Sequence, residues 1–142
     1  PPMNLFEVRI ESNTDGPVLA GGDVPILLPT VRAAALGSRR GQQVQMGLRP
    51  EALRIVDVPD PAMSTLRLEV LAEERLGHER LVYCASPWPS VDAAGQRQDS
   101  SQLIVRTAAG PALRPGGQVT VAVDFQQLHV FDGDGTSIQP EP

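Results

Sequence analysis

Residues 44–56 read VQMGLRPEALRIV, and this stretch decides the fold class. Apolar residues occupy every second position before and after a central tripeptide, Arg49-Pro50-Glu51. Because successive side chains of a β-strand point to opposite faces of a sheet, this alternation predicts two half-buried strands. Pro50 cannot donate a backbone hydrogen bond, so the first strand has to end there. We therefore predict two strands joined by a corner.

The corner has two interpretations. A short helical turn that begins at Pro50 would place Glu51 beside the positive end of the backbone dipole. Arg49 precedes a proline, so we expect it to be extended, with a side chain able to clamp a carboxylate or carbonyl groups. The tripeptide is then either a structural corner or a contact surface for a partner.

The same period of two recurs along the chain, in the segments LFEVRIE, TLRLEVL and QVTVAVD. Further strand candidates are residues 24–28, 80–85, 102–107 and 128–131. The chain contains 13 glycines and 14 prolines, and many of them separate these runs. Because both residue types favour turns, the pattern predicts many short strands, as in a β-sandwich or barrel.

Helical segments are few. The segment TVRAAALG, residues 30–37, has Thr30 as a helix N-cap and Gly37 just past its end. A second, single turn is expected after Asp124 in DFQQL. The sequence thus predicts one or two short helical turns in an otherwise all-β fold.

The length of 142 residues and the hydrophobic fraction of 41% suit either one domain or two intertwined sub-barrels. We expect residues 1–135 to form the folded part and residues 136–142 a flexible tail. Residues 86–101 show no periodicity and predict an exposed loop between two hairpin strands. This loop holds the only tryptophan, Trp88, which either packs back on the body or meets a partner.

The composition argues against several classes of function. All 12 basic residues are arginine, so the sequence contains no G-x-x-x-x-G-K-[ST] phosphate-binding loop. A net charge of -5 and five aromatic residues are unlike a nucleic-acid-binding surface. His78 and His129 have no metal-ligand spacing to each other or to Cys84, which we expect to be a small buried side chain. We therefore predict no catalytic, cofactor-binding or metal-binding residues.

The segment ERLGHER, residues 74–80, holds a second group of candidates. Gly77 falls between two apolar strands, where a bend or bulge is expected. Glu79 and Arg80 belong to a dense cluster of charges around it. The cluster is either a solvated hairpin tip or a contact surface.

Four segments follow one another in a recognisable order over residues 1–132: PPMNLFEVRI, MGLRPEALRI, EVLAEERLGHERLVY and LRPGGQVTVAVDFQQLHVFD. Together they resemble the C-terminal regulatory domain of ATP-binding subunits of carbohydrate ABC importers, of the maltose, trehalose and glycerol-phosphate type. The resemblance implies a TOBE- or MOP-like, all-β fold with one or more small OB-fold-like barrels. It also implies a piece of a longer subunit, because the family's N-terminal ATPase domain is not in this sequence.

The resemblance carries expectations about function. ATP and Mg²⁺ would be bound by the ATPase domain, and no cofactor by these residues. The implied role is non-catalytic regulation and dimerisation at the cytoplasmic face of the membrane. The implied partners are a second copy, the chain's own ATPase domain, the transporter's membrane subunits and, in some members, a regulatory protein. No nucleic acid is expected.

The corner and the charged cluster are then candidate interface residues, namely Arg49, Pro50, Glu51, Gly77, Glu79 and Arg80, together with Trp88. A different class of function stays open beside this one. Related small barrels bind molybdate, so the alternative is an oxyanion- or sugar-binding module. Its donors would be Arg, Ser, Thr and backbone amides.

Overall fold

The computed structural model of the chain describes residues 3–13, 16–22, 24–27, 36, 39–58, 63–133 and 135–138. These residues form an all-β fold with two short 3-10 turns, as the sequence predicts. The strands are β1 (Asn4–Asn13), β2 (Gly16–Ala20), β3 (Ile26–Leu27), β4 (Gln43–Leu48), β5 (Leu53–Ile55), β6 (Ser64–Leu76), β7 (Glu79–Ala85), β8 (Gln102–Ala108), β9 (Gln118–Val123) and β10 (His129–Phe131). The 3-10 turns are Pro50–Ala52 and Phe125–Gln127.

The chain divides into two compact units, and neither is continuous in sequence. The first unit consists of Pro1–Asn4, Leu48–Ser86 and Ser101–Gln127. The second consists of Leu5–Gly47, Pro87–Ser100 and Leu128–Pro142. The chain therefore passes from one unit to the other at five points.

The first unit contains an antiparallel sheet in the order β5-β9-β6-β7-β8. Its outermost strands, β5 and β8, also contact each other, so the sheet curls towards a closed barrel. The interior is filled by the apolar set of each alternating strand, which confirms the period-two prediction for β6 and β9. On these two strands the alternating buried residues are Leu66, Leu68, Val70, Val119, Val121 and Val123. Ala122, which the alternation predicts on the opposite face of β9, is buried as well.

A bulge interrupts β6 between Val70 and Ala72, where its register with β7 shifts. A bulge places an extra residue on one strand and turns the side chains beyond it. Beyond it the alternation of buried residues ends, and Leu71 and Leu76 are 36% and 46% exposed. The outer half of β6 is therefore a ribbon that reaches past the core.

The second unit contains a sheet in the order β10-β4-β1-β2-β3. Strand β2 was not among the predicted strands, because it begins with Gly16-Pro17, a pair typical of turns. Pairing with β1 overrides this local signal, with Leu19 opposite Ile10 in the register and both side chains fully buried. Strand β2 therefore forms because it pairs with β1, and not because of its local sequence.

Residues 86–101 connect β7 to β8, as predicted, but the expectation of an exposed loop is wrong for its first half. Trp88 is only 1% exposed and packs edge-to-face on Phe6, with ring centroids 5.3 Å apart. Its indole Nε1 donates a 2.8 Å hydrogen bond to the carbonyl of Val24. The loop therefore delivers the largest core residue of the second unit, and its exposed part is confined to the second half.

Glycine at position 22 is needed beside this tryptophan. A Cβ atom there would collide with the carbonyl oxygen of Pro87. Since backbone cannot move aside as a flexible side chain can, only a residue without a side chain permits this close approach.

Three further predictions concern the turn after Asp124, the environment of Cys84 and the helix at residues 30–37. The turn after Asp124 is confirmed, and Cys84 is a fully buried free cysteine, as expected. Its burial raises the pKa of the thiol to about 11. The predicted helix at 30–37 lies outside the described residues except for Leu36, which is buried.

The prediction of a flexible tail from residue 136 is wrong for its described part. The backbone N–H of Ile138 donates a 2.7 Å hydrogen bond to the carbonyl of Val130, and its side chain is 8% exposed. Ser137 bridges to Phe131 on the edge strand β10. Residues 139–142 lie outside the described part.

Candidate functional site

The Arg49-Pro50-Glu51 corner has the predicted geometry. Arg49 is extended, with φ -71° and ψ 142°, and Pro50 occupies the first position of a 3-10 turn. The N–H of Ala52 donates a 2.9 Å hydrogen bond to the carbonyl of Arg49. Pro50 and Ala52 are buried while Glu51 is exposed. The buried ring therefore fixes the corner and turns the carboxylate of Glu51 outwards.

The expectation that Arg49 clamps a carboxylate or carbonyl group is not met. Its side chain is exposed and forms no hydrogen bond or ion pair with any other residue that the structure describes. Among the described residues of its own unit, none holds this side chain. The structural role of the corner rests on Pro50.

A buried asparagine near the chain start, which was not among the predicted candidates, holds the corner in place. The Asn4 side-chain amide donates to the carbonyls of Ile104 and Leu48, at 2.9 and 3.1 Å, and its oxygen accepts from the N–H of Ile104 at 2.8 Å. One amide therefore pairs with β8 as a neighbouring strand would, and ties it to the end of β4. The only signal in the sequence was the position of Asn4 in the PPMN segment of the family resemblance.

Gly77 forms the tip of the β6–β7 hairpin. The last paired residues are Leu76 and Glu79, so the turn consists of Gly77 and His78. Gly77 has a φ of +68°, in the left-handed region that favours glycine. The predicted bend is confirmed.

Arg80 is buried, at 5% exposure, so the prediction of a solvated tip is wrong for this residue. Its Nη1 donates a 2.7 Å hydrogen bond to the carbonyl of Pro111 and lies 3.6 Å from Glu73 Oε1. Arg75 pairs with the same oxygen through Nε at 3.0 Å and donates from Nη2 to the carbonyl of Gly110 at 2.8 Å. These groups hold the segment after β8 against the hairpin.

Glu73 is the centre of this network. Its Oε2 accepts a 2.9 Å hydrogen bond from the backbone N–H of Leu113. That hydrogen bond, with the charges of Arg75 and Arg80, lowers the pKa of Glu73 despite its partial burial. The network is structural, because its charges are already engaged with one another and with backbone groups.

Glu79 points to the other face of the hairpin, since neighbouring residues of a strand alternate. Its Oε2 accepts from Arg106 of β8, at 2.8 Å from Nε and 2.6 Å from Nη2. This pair lines an open groove of about 710 Å³, together with Glu51, Arg54, Thr107 and Ala108. The structure thus brings together two predicted candidates, Glu51 and Glu79, that lie far apart in sequence.

The other candidates are not in this groove. Arg49, Gly77 and Arg80 belong to the same unit but do not line it, and Trp88 belongs to the core of the second unit. Arg54, Arg106 and Thr107 line it and were not among the predicted candidates. Their side chains meet through the pairing of β7 with β8 and the contact of β5 with β8, which no local pattern reveals.

The groove does not favour an oxyanion ligand. Two arginines face two glutamates in it, and Arg106 is already engaged by Glu79. An anion site needs a surplus of donors, which this set lacks. In the described part of the chain, no group of three His, Cys, Asp or Glu side chains is placed to hold a metal ion.

Two family models match the chain. The model of the MalK OB fold domain matches residues 1–53, and the model of the TOBE domain matches residues 46–131, which is more than half of the sequence. The chain belongs to the TOBE domain family. The TOBE match takes in the corner, the hairpin and every residue of the groove, and the all-β, OB-type fold that the resemblance implied is confirmed.

Known relatives of this TOBE chain are import ATP-binding proteins. The sn-glycerol-3-phosphate import ATP-binding protein UgpC of Chromobacterium violaceum is 32% identical over 134 residues, which is 94% of this chain and 31% of the relative. UgpC of Rhodopseudomonas palustris is 32% identical over 95% of the chain and 33% of the relative. The oligosaccharides import ATP-binding protein MsmX of Bacillus subtilis is 25% identical over 94% and 33%. The TOBE chain therefore spans about a third of the length of these relatives.

A solved structure has the same fold. The cytoplasmic molybdate-binding protein ModG, in its molybdate-bound form, superposes with a TM-score of 0.59 at 15% identity, covering 89% of the TOBE chain and 94% of that protein. At this identity the likeness establishes the fold alone.

The matches also define what kind of segment this is. The chain corresponds to the OB-fold and TOBE regulatory third of relatives that are import ATP-binding proteins. Its sequence holds no G-x-x-x-x-G-K-[ST] phosphate-binding loop. Among the described residues, no helix has the length and apolar character needed to cross a bilayer.

Proposed function

We propose that the TOBE chain supports ATP-driven import of a carbohydrate or of sn-glycerol-3-phosphate by joining two copies of an ATP-binding subunit. The observation that carries the proposal is the match to import ATP-binding proteins over 94% of the chain, together with the matches to the MalK OB fold and TOBE domain models. ATP and Mg²⁺ would be bound by the ATPase domain of the full-length subunit.

The proposed partners are a second copy, the chain's own ATPase domain, the membrane subunits of the importer and a regulatory protein. The proposed location is the cytoplasmic face of the cell membrane. A domain that tethers two subunits raises the effective concentration of one ATPase domain for the other while their nucleotide sites open and close. This role requires surfaces that bind other proteins, and it requires no catalytic residues in the chain.

A chimera with a known relative tests the proposal. The matching third of the Chromobacterium violaceum UgpC relative is replaced by this chain, and uptake of labelled sn-glycerol-3-phosphate is measured in cells that lack the native subunit. The expected result is that the chimera restores uptake, while the same subunit without this third does not.

Two controls make the result decisive. Immunoblotting shows that all subunits accumulate equally, and the intact relative sets full activity. A truncated subunit that dimerises and supports uptake as well as the intact one would contradict the proposal, because the domain would then be dispensable.

A further inference from the structure

We propose that Glu51 and Arg54 are the centre of a two-fold contact, in which the groove of one chain packs against the same groove of a second copy. The inference rests on the proposed function, which pairs two copies, and it assigns the surface that pairs them. The groove is the one lined by Glu51, Arg54, Glu79, Arg106, Thr107 and Ala108.

The charges of the groove are balanced. Glu79 and Arg106 form an ion pair within the chain. Glu51 and Arg54 are exposed, and neither forms an ion pair in the part of the chain that the structure describes. Among the described residues, the groove therefore offers one carboxylate and one guanidinium without an ion-pair partner. The charges of its lining sum to zero, although the chain carries a net charge of -5.

A second copy is the partner that this arrangement fits. In a two-fold contact, if one residue meets another, the reverse contact forms as well. Glu51 of each copy would face Arg54 of the other, so a single side-chain pair gives two ion pairs. Two chains of charge -5 repel one another in general, and a neutral face lowers that repulsion where they meet. A phosphate backbone would meet Glu51 and Glu79, which disfavours nucleic acid.

The backbone presents both side chains from fixed positions. Glu51 stands between buried Pro50 and Ala52 in the 3-10 turn. Arg54 lies in β5, opposite Ala122 of β9, and its Nη2 lies 2.9 Å from the sulfur of Met63. Because these positions are set before a partner arrives, less conformational freedom is lost on association.

Charge reversal tests the proposal on the 142-residue chain. Sedimentation equilibrium is measured from about 5 µM to about 1 mM for the native chain, E51R, R54E and the double variant E51R/R54E. The native chain is expected to dimerise, and each single reversal to raise the Kd at least about tenfold, since both ion pairs become like-charge contacts. The double variant restores opposite charges across the axis and should return the Kd to within about threefold of native.

The matched control is R67E/E69R, which exchanges an exposed arginine and an exposed glutamate on β6 without changing net charge. It should leave the Kd unchanged. Circular dichroism, together with fluorescence of Trp88, the only tryptophan, reports whether each variant is folded.

The outcomes separate the two proposals. If the chain dimerises with a Kd that neither E51R nor R54E changes, the groove assignment is overturned and the pairing role stays intact. If the single reversals raise the Kd and the double variant does not restore it, the groove assignment is also overturned, because the contact is then not self-complementary. A native chain that stays monomeric to about 1 mM overturns self-pairing through this groove, while restored uptake by the chimera would still support the role in import.

Discussion

The amide of Asn4 acts as a piece of neighbouring strand. It bonds both backbone groups of Ile104 and the carbonyl of Leu48, and it is only 6% exposed. Buried backbone groups without partners are costly, so a single side chain here protects three of them. Asn4 also sits beside the corner that carries Glu51, which makes it a positioning residue for the groove.

Replacing Asn4 by alanine should lower the free energy of unfolding by about 3 kcal/mol, since three buried or part-buried backbone groups lose their partner. Asn4→Asp should be comparably damaging, because a carboxylate cannot donate to the two carbonyls. Urea unfolding followed by circular dichroism measures both. Gln126→Ala, at an exposed position, is the control and should change stability by less than about 0.5 kcal/mol. If the Asn4 variants changed the free energy of unfolding by as little as the control, the hydrogen bonds of Asn4 would not be needed for stability.

Glu73 makes the stability of the fold depend on pH. Its pKa in the folded chain lies below the ordinary value of 4.5, chiefly because the N–H of Leu113 donates to its carboxylate. A lowered folded-state pKa contributes stability that is present above pH 4.5 and is lost as pH falls through the lowered value. Glu73→Gln should therefore destabilise the chain at pH 7, and the difference from the native chain should shrink below pH 4.5.

Urea midpoints between pH 7 and pH 3 test this dependence. Glu69→Gln serves as the control, because Glu69 is exposed and forms no ion pair in the described part of the chain. If the native chain and Glu73→Gln kept a constant difference across this range, the network would not carry the stated titration.

Among the strands and turns, the β6–β7 hairpin depends on the backbone conformation of one residue at its tip. Gly77 has a φ of +68° and nothing lies within 4 Å of the position that a Cβ would occupy. Any cost of substitution there is therefore conformational and not steric. The hairpin tip stands beside Glu79, so its geometry also sets one wall of the groove.

Gly77→Ala should lower the free energy of unfolding by about 1 kcal/mol, and Gly77→Asn by less, because asparagine tolerates the left-handed region better. Thermal unfolding followed by circular dichroism measures both. Gly133→Ala is the matched control, since that glycine is also in open space but does not have a positive φ. Equal effects at the two positions would contradict the argument.

At the level of the whole chain, the two units are interleaved in sequence. Each consists of three separate segments, and the chain passes between the units five times. Neither unit can form without bringing together segments separated by parts of the other. We therefore expect the chain to unfold in one cooperative transition.

The position of Trp88 makes this expectation measurable. It is the only tryptophan and reports on the second unit, while Asn4 belongs to the first. Asn4→Ala should therefore shift the unfolding midpoint seen by Trp88 fluorescence as far as that seen by circular dichroism. Two separate midpoints, with the fluorescence midpoint unmoved, would show that the units unfold independently.

The sequence by itself determined the fold class, most strands, the corner and the hairpin turn. These features follow from local causes: alternation sets which face of a strand is buried, Pro50 ends a strand, and Gly77 permits a positive φ. Strand β2 escaped prediction because its turn-like start is overruled by pairing with β1.

Only the tertiary structure decided which side chains meet. It buried Trp88 and Arg80, packed residues 136–138 on the edge of β10, and joined Asn4 to Ile104 across a hundred positions. It also brought Glu51 and Arg54 beside Glu79 and Arg106. The physical reason is that hydrogen bonds and ion pairs form between strands that are distant in sequence. Their partners are therefore set by sheet order and register, which a local pattern does not contain.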